Sequence, residues 1–190
     1  MEAGNRASLG LSVGRDTKIF PMAYRNKTFV SFASEDIAHY RLMTAWHANP
    51  RFDFRFQDAH DLNTALDTSQ PETIRRRLRE RLANTRQVVM LLGRQTRAVA
   101  GRTSRFLYYE VEVIDRLELP VVFVNLNGSR DAESARMPVR LETNYTLSVS
   151  FQPSIIKEAL DDWVERFPRE RRTKSGSYSY ENSVYKRLGL

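Results

Sequence analysis

The sequence predicts an α/β fold, a doubly wound parallel sheet in a single domain, and three observations carry that expectation. Strand-like and helix-like segments alternate four or five times over about 145 residues, the order that lays helices on both faces of a parallel sheet. Two strand-like runs, Gln87-Val88-Val89-Met90-Leu91-Leu92-Gly93 and Pro120-Val121-Val122-Phe123-Val124-Asn125-Leu126, are continuously apolar, as strands covered on both faces are. A chain of 190 residues with 11% aromatics has material for one core, and neither an internal repeat nor a low-complexity tract points to a repetitive architecture.

Residues 1–25 contain Gly and Ser without periodicity and read as a flexible N-terminal segment. The first element is the run Lys27-Thr28-Phe29-Val30-Ser31-Phe32, β-branched and aromatic, stopping at the small Ala33-Ser34,. Ser34 followed by Glu35-Asp36 predicts an N-cap with acids in the first turn, where the helix dipole favours them. That helix carries Ile37, Tyr40, Met43 and Trp46 near one side and ends at Asn49-Pro50,. Phe52, Phe54 and Phe56 alternate with Asp53 and Arg55 and predict a second strand. The polar stretch from 57 to 70 is too long for a tight connection and marks a functional loop.

Ser69-Gln70-Pro71-Glu72 has capping-box spacing with proline in the first turn. Ile74, Leu78 and Leu82 then form the buried stripe of an arginine-coated helix. After the apolar strand at 87–93, Ser104 caps another helix with Leu107, Tyr108, Val111, Ile114 and Leu117 along it. Asn127-Gly128 closes the second apolar strand. Residues 146–151 read as a last strand, and 153–167 as an amphipathic helix bearing Ile156, Leu160, Trp163, Val164 and Phe167. The expected division is a domain over 26–167 and a polar C-terminal extension over 168–190.

Composition narrows the chemistry. Cysteine is absent, so disulfide frameworks, thiolate metal sites and cysteine catalysis are excluded. His39 and His47 stand eight apart on one helix, too far to grip one ion, and no metal motif appears. No apolar run reaches membrane-spanning length, and the polar start shows no signal-peptide core, so the expected location is cytoplasmic, with no membrane partner. Thirty Lys and Arg against 23 Asp and Glu give a net charge of +7. Ten arginines lie between Pro71 and Arg105, and six bases lie from Arg169 onward. Exposed aromatics do not interleave with the first cluster, so nucleic acid is not an expected partner and a solvated helix face accounts for it.

In a doubly wound sheet, ligands sit at the carboxyl ends of the strands. That rule brings 32–34, the loop holding Asp58, and the stretch from Gly93 to Glu110 toward one crevice. Glu110, two turns into its helix among Phe106, Leu107 and Val111, is a carboxylate in apolar company whose pKa should rise. It suits binding of sugar hydroxyls and opposition to positive charge on a ribose carbon. The competing reading pairs Glu110 with Arg75 or Arg105.

Two segments resemble a known family. Phe29-Val30-Ser31-Phe32-Ala33-Ser34-Glu35-Asp36 is similar to the first box of TIR domains. Ser104-Arg105-Phe106-Leu107-Tyr108-Tyr109-Glu110 resembles the TIR segment S-[KR]-W-C-x-x-E, with Phe106 for Trp and Leu107 for Cys. The strand at 88–93 followed by Arg94-Gln95-Thr96 resembles the bacterial TIR-like group that includes Thoeris ThsB, in which Gly-x-Gln-Thr precedes an R-[YFW]-x-x-x-E helix start. The likeness spans about residues 25–165.

The resemblance implies a flavodoxin-like (TIR-like) fold that takes NAD+ as substrate, without a further cofactor, and cleaves the ribosyl–nicotinamide bond. The implied product is an ADP-ribose-derived signal, cyclic or conjugated, that activates a partner effector protein in anti-phage defence. By motif position Glu110 is the catalytic glutamate, Phe32, Ala33 and Ser34 line the nicotinamide end, and Asp58 lies in a mobile loop serving assembly and closure. Ser104 is a helix cap first and a ligand second. Arg94 and Arg105 are the nearest cations for the two phosphates, with surface solubility as their other role. A homo-oligomer belongs among the expected partners, and a non-catalytic TIR-like interaction module is the alternative function.

Overall fold

A computed structural model describes residues 27–51, Phe54, the backbone of 57–58, and 70–190. The N-terminal 1–25 segment, the residues flanking Phe54 in the expected second strand, Ser69 and most of the loop before it lie outside these residues.

Six strands form one parallel sheet: β1 (Lys27–Ser31), β2 (Gln57–Asp58), β3 (Gln87–Leu92), β4 (Val121–Asn125), β5 (Thr146–Ser150) and β6 (Ser177–Ser179). Their spatial order is β2-β1-β3-β4-β5-β6, the flavodoxin-type arrangement extended by one strand, whose winding reverses between β1 and β3. The expected α/β, doubly wound parallel fold is what the chain adopts. β3 and β4 are buried at every residue, which is why neither shows polar alternation.

Side chains alternate across the sheet and feed two cores. Val30, Val89, Leu91, Val122, Val124 and Val149 face one layer, built from α1 (Ile37–Ala48), α5 (Pro153–Glu158), a π-helical turn at Ala159–Trp163 and α6 (Val164–Glu170). Phe29, Val88, Met90, Leu92, Val121 and Phe123 face the other, built from α2 (Pro71–Leu82), α3 (Thr96–Ala100) and α4 (Phe106–Arg116). Ile74, Leu78 and Leu82 of α2 are buried as the four-residue spacing predicts. No described helix is long and apolar enough to cross a membrane.

Three caps differ from expectation. Ser34 does not cap α1: the chain leaves β1 through a 3-10 turn closed by Asp36 N–H to the Ala33 carbonyl at 2.8 Å, and Ser34 Oγ donates to Glu35 Oε2 at 3.3 Å. Ser104 does not cap α4 either. Residues 102–105 make a turn of their own, with Arg105 N–H on the Arg102 carbonyl at 3.0 Å, so the N-cap falls on Arg105 without a side-chain bond. For α2 the cap position is Gln70.

Residues 168–190 carry more structure than a polar extension suggests. α6 continues past Pro168 to Glu170, β6 pairs with β5 from Thr146↔Ser177 to Ser148↔Ser179, and α7 (Asn182–Arg187) follows. Tyr185 of α7 is fully buried, and its hydroxyl oxygen accepts the Ser150 N–H at 3.2 Å.

Candidate active site

The carboxyl ends of β1 and β3 flank the point where the winding reverses. There the chain turns from Ser31 through Phe32 and Ala33 into α1, and from Leu92 through Gly93 into α3. α4 runs beneath β1 on the second face, and Glu110 in its second turn meets the strand end. Ser31 Oγ donates to Glu110 Oε2 at 2.6 Å across 79 residues of sequence. Both are buried, Ser31 at 0% and Glu110 at 7% exposure.

Burial pushes the Glu110 carboxyl up to about 7 from 4.5, more than the Ser31 hydrogen bond and the positive charge of Arg81 pull it down. Removal from water disfavours the ionised form, while a donated hydrogen bond favours it. The result is a carboxyl that changes charge near neutrality. The arginines that competed for it are engaged elsewhere. Arg75 Nε donates to Glu112 Oε2 at 2.9 Å, and Arg105 reaches Glu35 Oε1 at 3.2 Å. The second pair ties the start of α4 to the exit of β1 and so helps to bring Glu110 to Ser31.

The other expected residues divide by position. Phe32 is half-buried and stacks on Tyr40 with ring centroids 4.9 Å apart, facing the first core, whereas Ala33 is buried in the second. Ser34 and Ser104 are exposed, as is Arg94, directly after Gly93. Arg94 forms no ion pair among the described residues, while Arg105 is held by Glu35. Asp58 does not stand in the loop as expected: Gln57–Asp58 form strand β2, because their backbone finds the free edge of β1, where Asp58 pairs with Thr28; its side chain lies outside the described residues. Among the described residues no three His, Asp or Glu side chains converge as a metal cluster, and His39 packs edge-on against Phe151 at 5.2 Å.

Three participants stand in the motif segments of the sequence but carried no expected site role. Ser31 reads as strand filling, although a hydroxyl at the end of an apolar run is a visible irregularity. Thr96 pins the turn after β3, accepting Gly93 N–H at 2.9 Å and donating to the Leu91 carbonyl at 3.3 Å. Asp36 lies over Gly93, where a β-carbon would come 2.1 Å from Asp36 Oδ2 and 2.4 Å from Oδ1. Gly93 is therefore needed for close approach, and it joins the two loops at the crevice. Gly93→Ala is expected to push the Asp36 carboxylate toward water, and because its Oδ2 is buried without a hydrogen-bond partner to lose, the cost in denaturant unfolding should stay below about 1 kcal/mol,. In the Asp36→Ala background the same change should cost much less, because the clashing atoms are gone.

A family model described as the TIR-like domain of the Thoeris protein ThsB matches residues 29–131. The matched stretch is more than half of the 190 residues and holds β1 from Phe29 onward, β3, β4 and the Ser31–Glu110 pair. No curated protein matches the chain.

Proposed function

The chain belongs to the Thoeris ThsB TIR-like domain family, which ties it to Thoeris anti-phage defence, and from that premise we propose that it cleaves the ribosyl–nicotinamide bond of NAD+ with Glu110 as the catalytic carboxylate. One observation carries the reading: a buried carboxyl, poised to ionise near neutral pH, hydrogen-bonded at the point where the winding of the sheet reverses. Such a group is costly to bury, and active sites are where carboxyls shifted this way cluster.

The leaving group is a pyridinium, so the electron pair of the breaking C–N bond returns to the ring nitrogen and no general acid is required. What remains is positive charge spreading over the ribose C1′ and ring oxygen. An ionised Glu110 in a water-poor site opposes that charge strongly, because little solvent screens it. It also accepts from ribose hydroxyls, a role in which Ser31 holds the second carboxylate oxygen and the orientation of the group. Phe32, Ala33 and Ser34 border the nicotinamide end, and Arg94 meets the pyrophosphate. Arg105, already bound to Glu35, serves to position α4. The ADP-ribosyl product, hydrolysed or cyclised by an internal nucleophile, is the signal for an effector protein.

The direct test is incubation of the protein with NAD+, with and without infected-cell lysate, followed by mass spectrometry of the nucleotides. Nicotinamide and an ADP-ribose-type product are expected. Intact NAD+ under both conditions, at high protein concentration, returns the interaction-module reading. The pH dependence is a second expected result. Because the ionised carboxylate is the active form, kcat/KM should rise with pH and level off above an inflection near 7,. In Ser31→Ala the hydrogen bond favouring ionisation is lost, so the inflection should move to higher pH.

A further inference from the structure

At the opposite, amino-terminal end of the sheet lies a groove of about 620 Å³, within the size range of small-molecule sites. Its walls unite the two basic clusters of the sequence. Arg86 comes from the residue before β3, and Arg171 and Arg172 come from the turn after α6. Arg171 is already committed: it donates to the Glu118 carbonyl at 3.2 Å, pairs with the Glu118 carboxylate and lies over the Phe167 ring. Glu118 accepts this from a left-handed backbone conformation, φ 50°, that closes the end of α4 in the place where glycine is usual,. The clamp therefore fixes the groove wall.

Arg86 and Arg172 are exposed, and among the described residues neither guanidinium has an ion-pair partner. The acid left on the rim, Glu165, is exposed and solvated. Two guanidiniums without ion-pair partners, brought to one groove from separate segments, match a doubly charged anion better than a monocarboxylate,. The volume exceeds what a bare phosphate fills, and the apolar side of the groove, Val164 with Pro168, offers contact to an organic body.

We propose that this groove is a second binding site, separate from the Glu110 crevice, for a small molecule that carries a phosphate dianion on an organic body. The phosphate spans Arg86 and Arg172, and the body lies along α6. The inference does not depend on NAD+ cleavage, since it uses none of the same residues.

The test is calorimetric titration of the full chain with AMP as the probe, beside adenosine and inorganic phosphate. AMP should bind more tightly than either, with affinity falling as salt rises. Arg86→Ala and Arg172→Ala should each weaken AMP on the order of tenfold, and the lysine variants should retain part of it. Glu165→Gln should tighten binding by removing a like charge, and Glu110→Gln should leave it unchanged. Equal binding of adenosine, no AMP binding, or AMP binding indifferent to both arginines overturns the proposal. AMP binding lost in Glu110→Gln also overturns it, by assigning the nucleotide to the crevice. All the groove positions substituted are exposed, so the variants are expected to fold, which circular dichroism checks.

Discussion

Glu110→Gln is expected to reduce nicotinamide release from NAD+ by about 10²–10³-fold or more, while making the folded chain more stable at neutral pH and above. The two effects have one cause. Ionised Glu110 is held where water is scarce, which is what makes it effective against a developing cation and what makes it expensive to fold. In the unfolded chain the carboxyl ionises near 4.5, and in the folded chain near 7. Between those values the unfolded state holds fewer protons, so stability falls as pH rises through the interval and levels off above it. The interval corresponds to a loss on the order of 3 kcal/mol. Glutamine keeps an oxygen to accept the Ser31 hydroxyl and carries no charge, so its stability has no such slope. Comparing urea unfolding of the two proteins at pH 5 and pH 8 cancels the other titrating groups. A gap that widens toward pH 8, together with lost turnover, is the expected outcome. Retained turnover in a folded Glu110→Gln protein assigns the carboxyl a structural role only.

The second large effect falls far from the crevice. Tyr185→Ala should cost about 3–5 kcal/mol, the range for truncating a large buried aromatic. Tyr185 is fully buried among the residues of the first core, with Arg130 over its ring at 4.4 Å. Its loss opens a cavity beside β5 and releases α7. Tyr185→Phe separates packing from hydrogen bonding: it keeps the ring and leaves the Ser150 N–H without its acceptor, for a cost of about 1–3 kcal/mol. Thermal or chemical unfolding of both variants checks the pair. A Tyr185→Ala protein as stable as its parent would mean that residues 168–190 are dispensable to the fold.

These two predictions also separate what was readable along the chain from what was not. The elements with strong periodicity were legible: the apolar runs of β3 and β4, the stripe of Ile74, Leu78 and Leu82, and the face of Ile156, Leu160 and Trp163 all lie where spacing predicts. β6 and α7 were not, because a three-residue edge strand of Ser-Tyr-Ser and a six-residue helix are too short to show a period. They form because β5 offers a pairing edge and the first core has room for Tyr185. Ser34 and Ser104 have the residue type for a cap, yet the cap position falls two residues on at Asp36 and one residue on at Arg105, and each hydroxyl misses the amides it would have capped.

Glu110 itself stood out in the sequence as a carboxyl among apolar neighbours, and the TIR-like motif named the same residue. The upward shift of its pKa was expected from those neighbours and is what the fold produces; its partner Ser31 was not expected. Local side-chain pattern decides which segments become strands and helices, because those choices depend on neighbours within a few positions. The meeting of Ser31 with Glu110 and of Glu35 with Arg105, and the placing of Arg86 and Arg172 on one groove, span tens of residues, and only the packed sheet brings them together. The apolar neighbours of Glu110 gave the direction of its desolvation, but its extent, which makes the carboxyl useful, is set by that packing,.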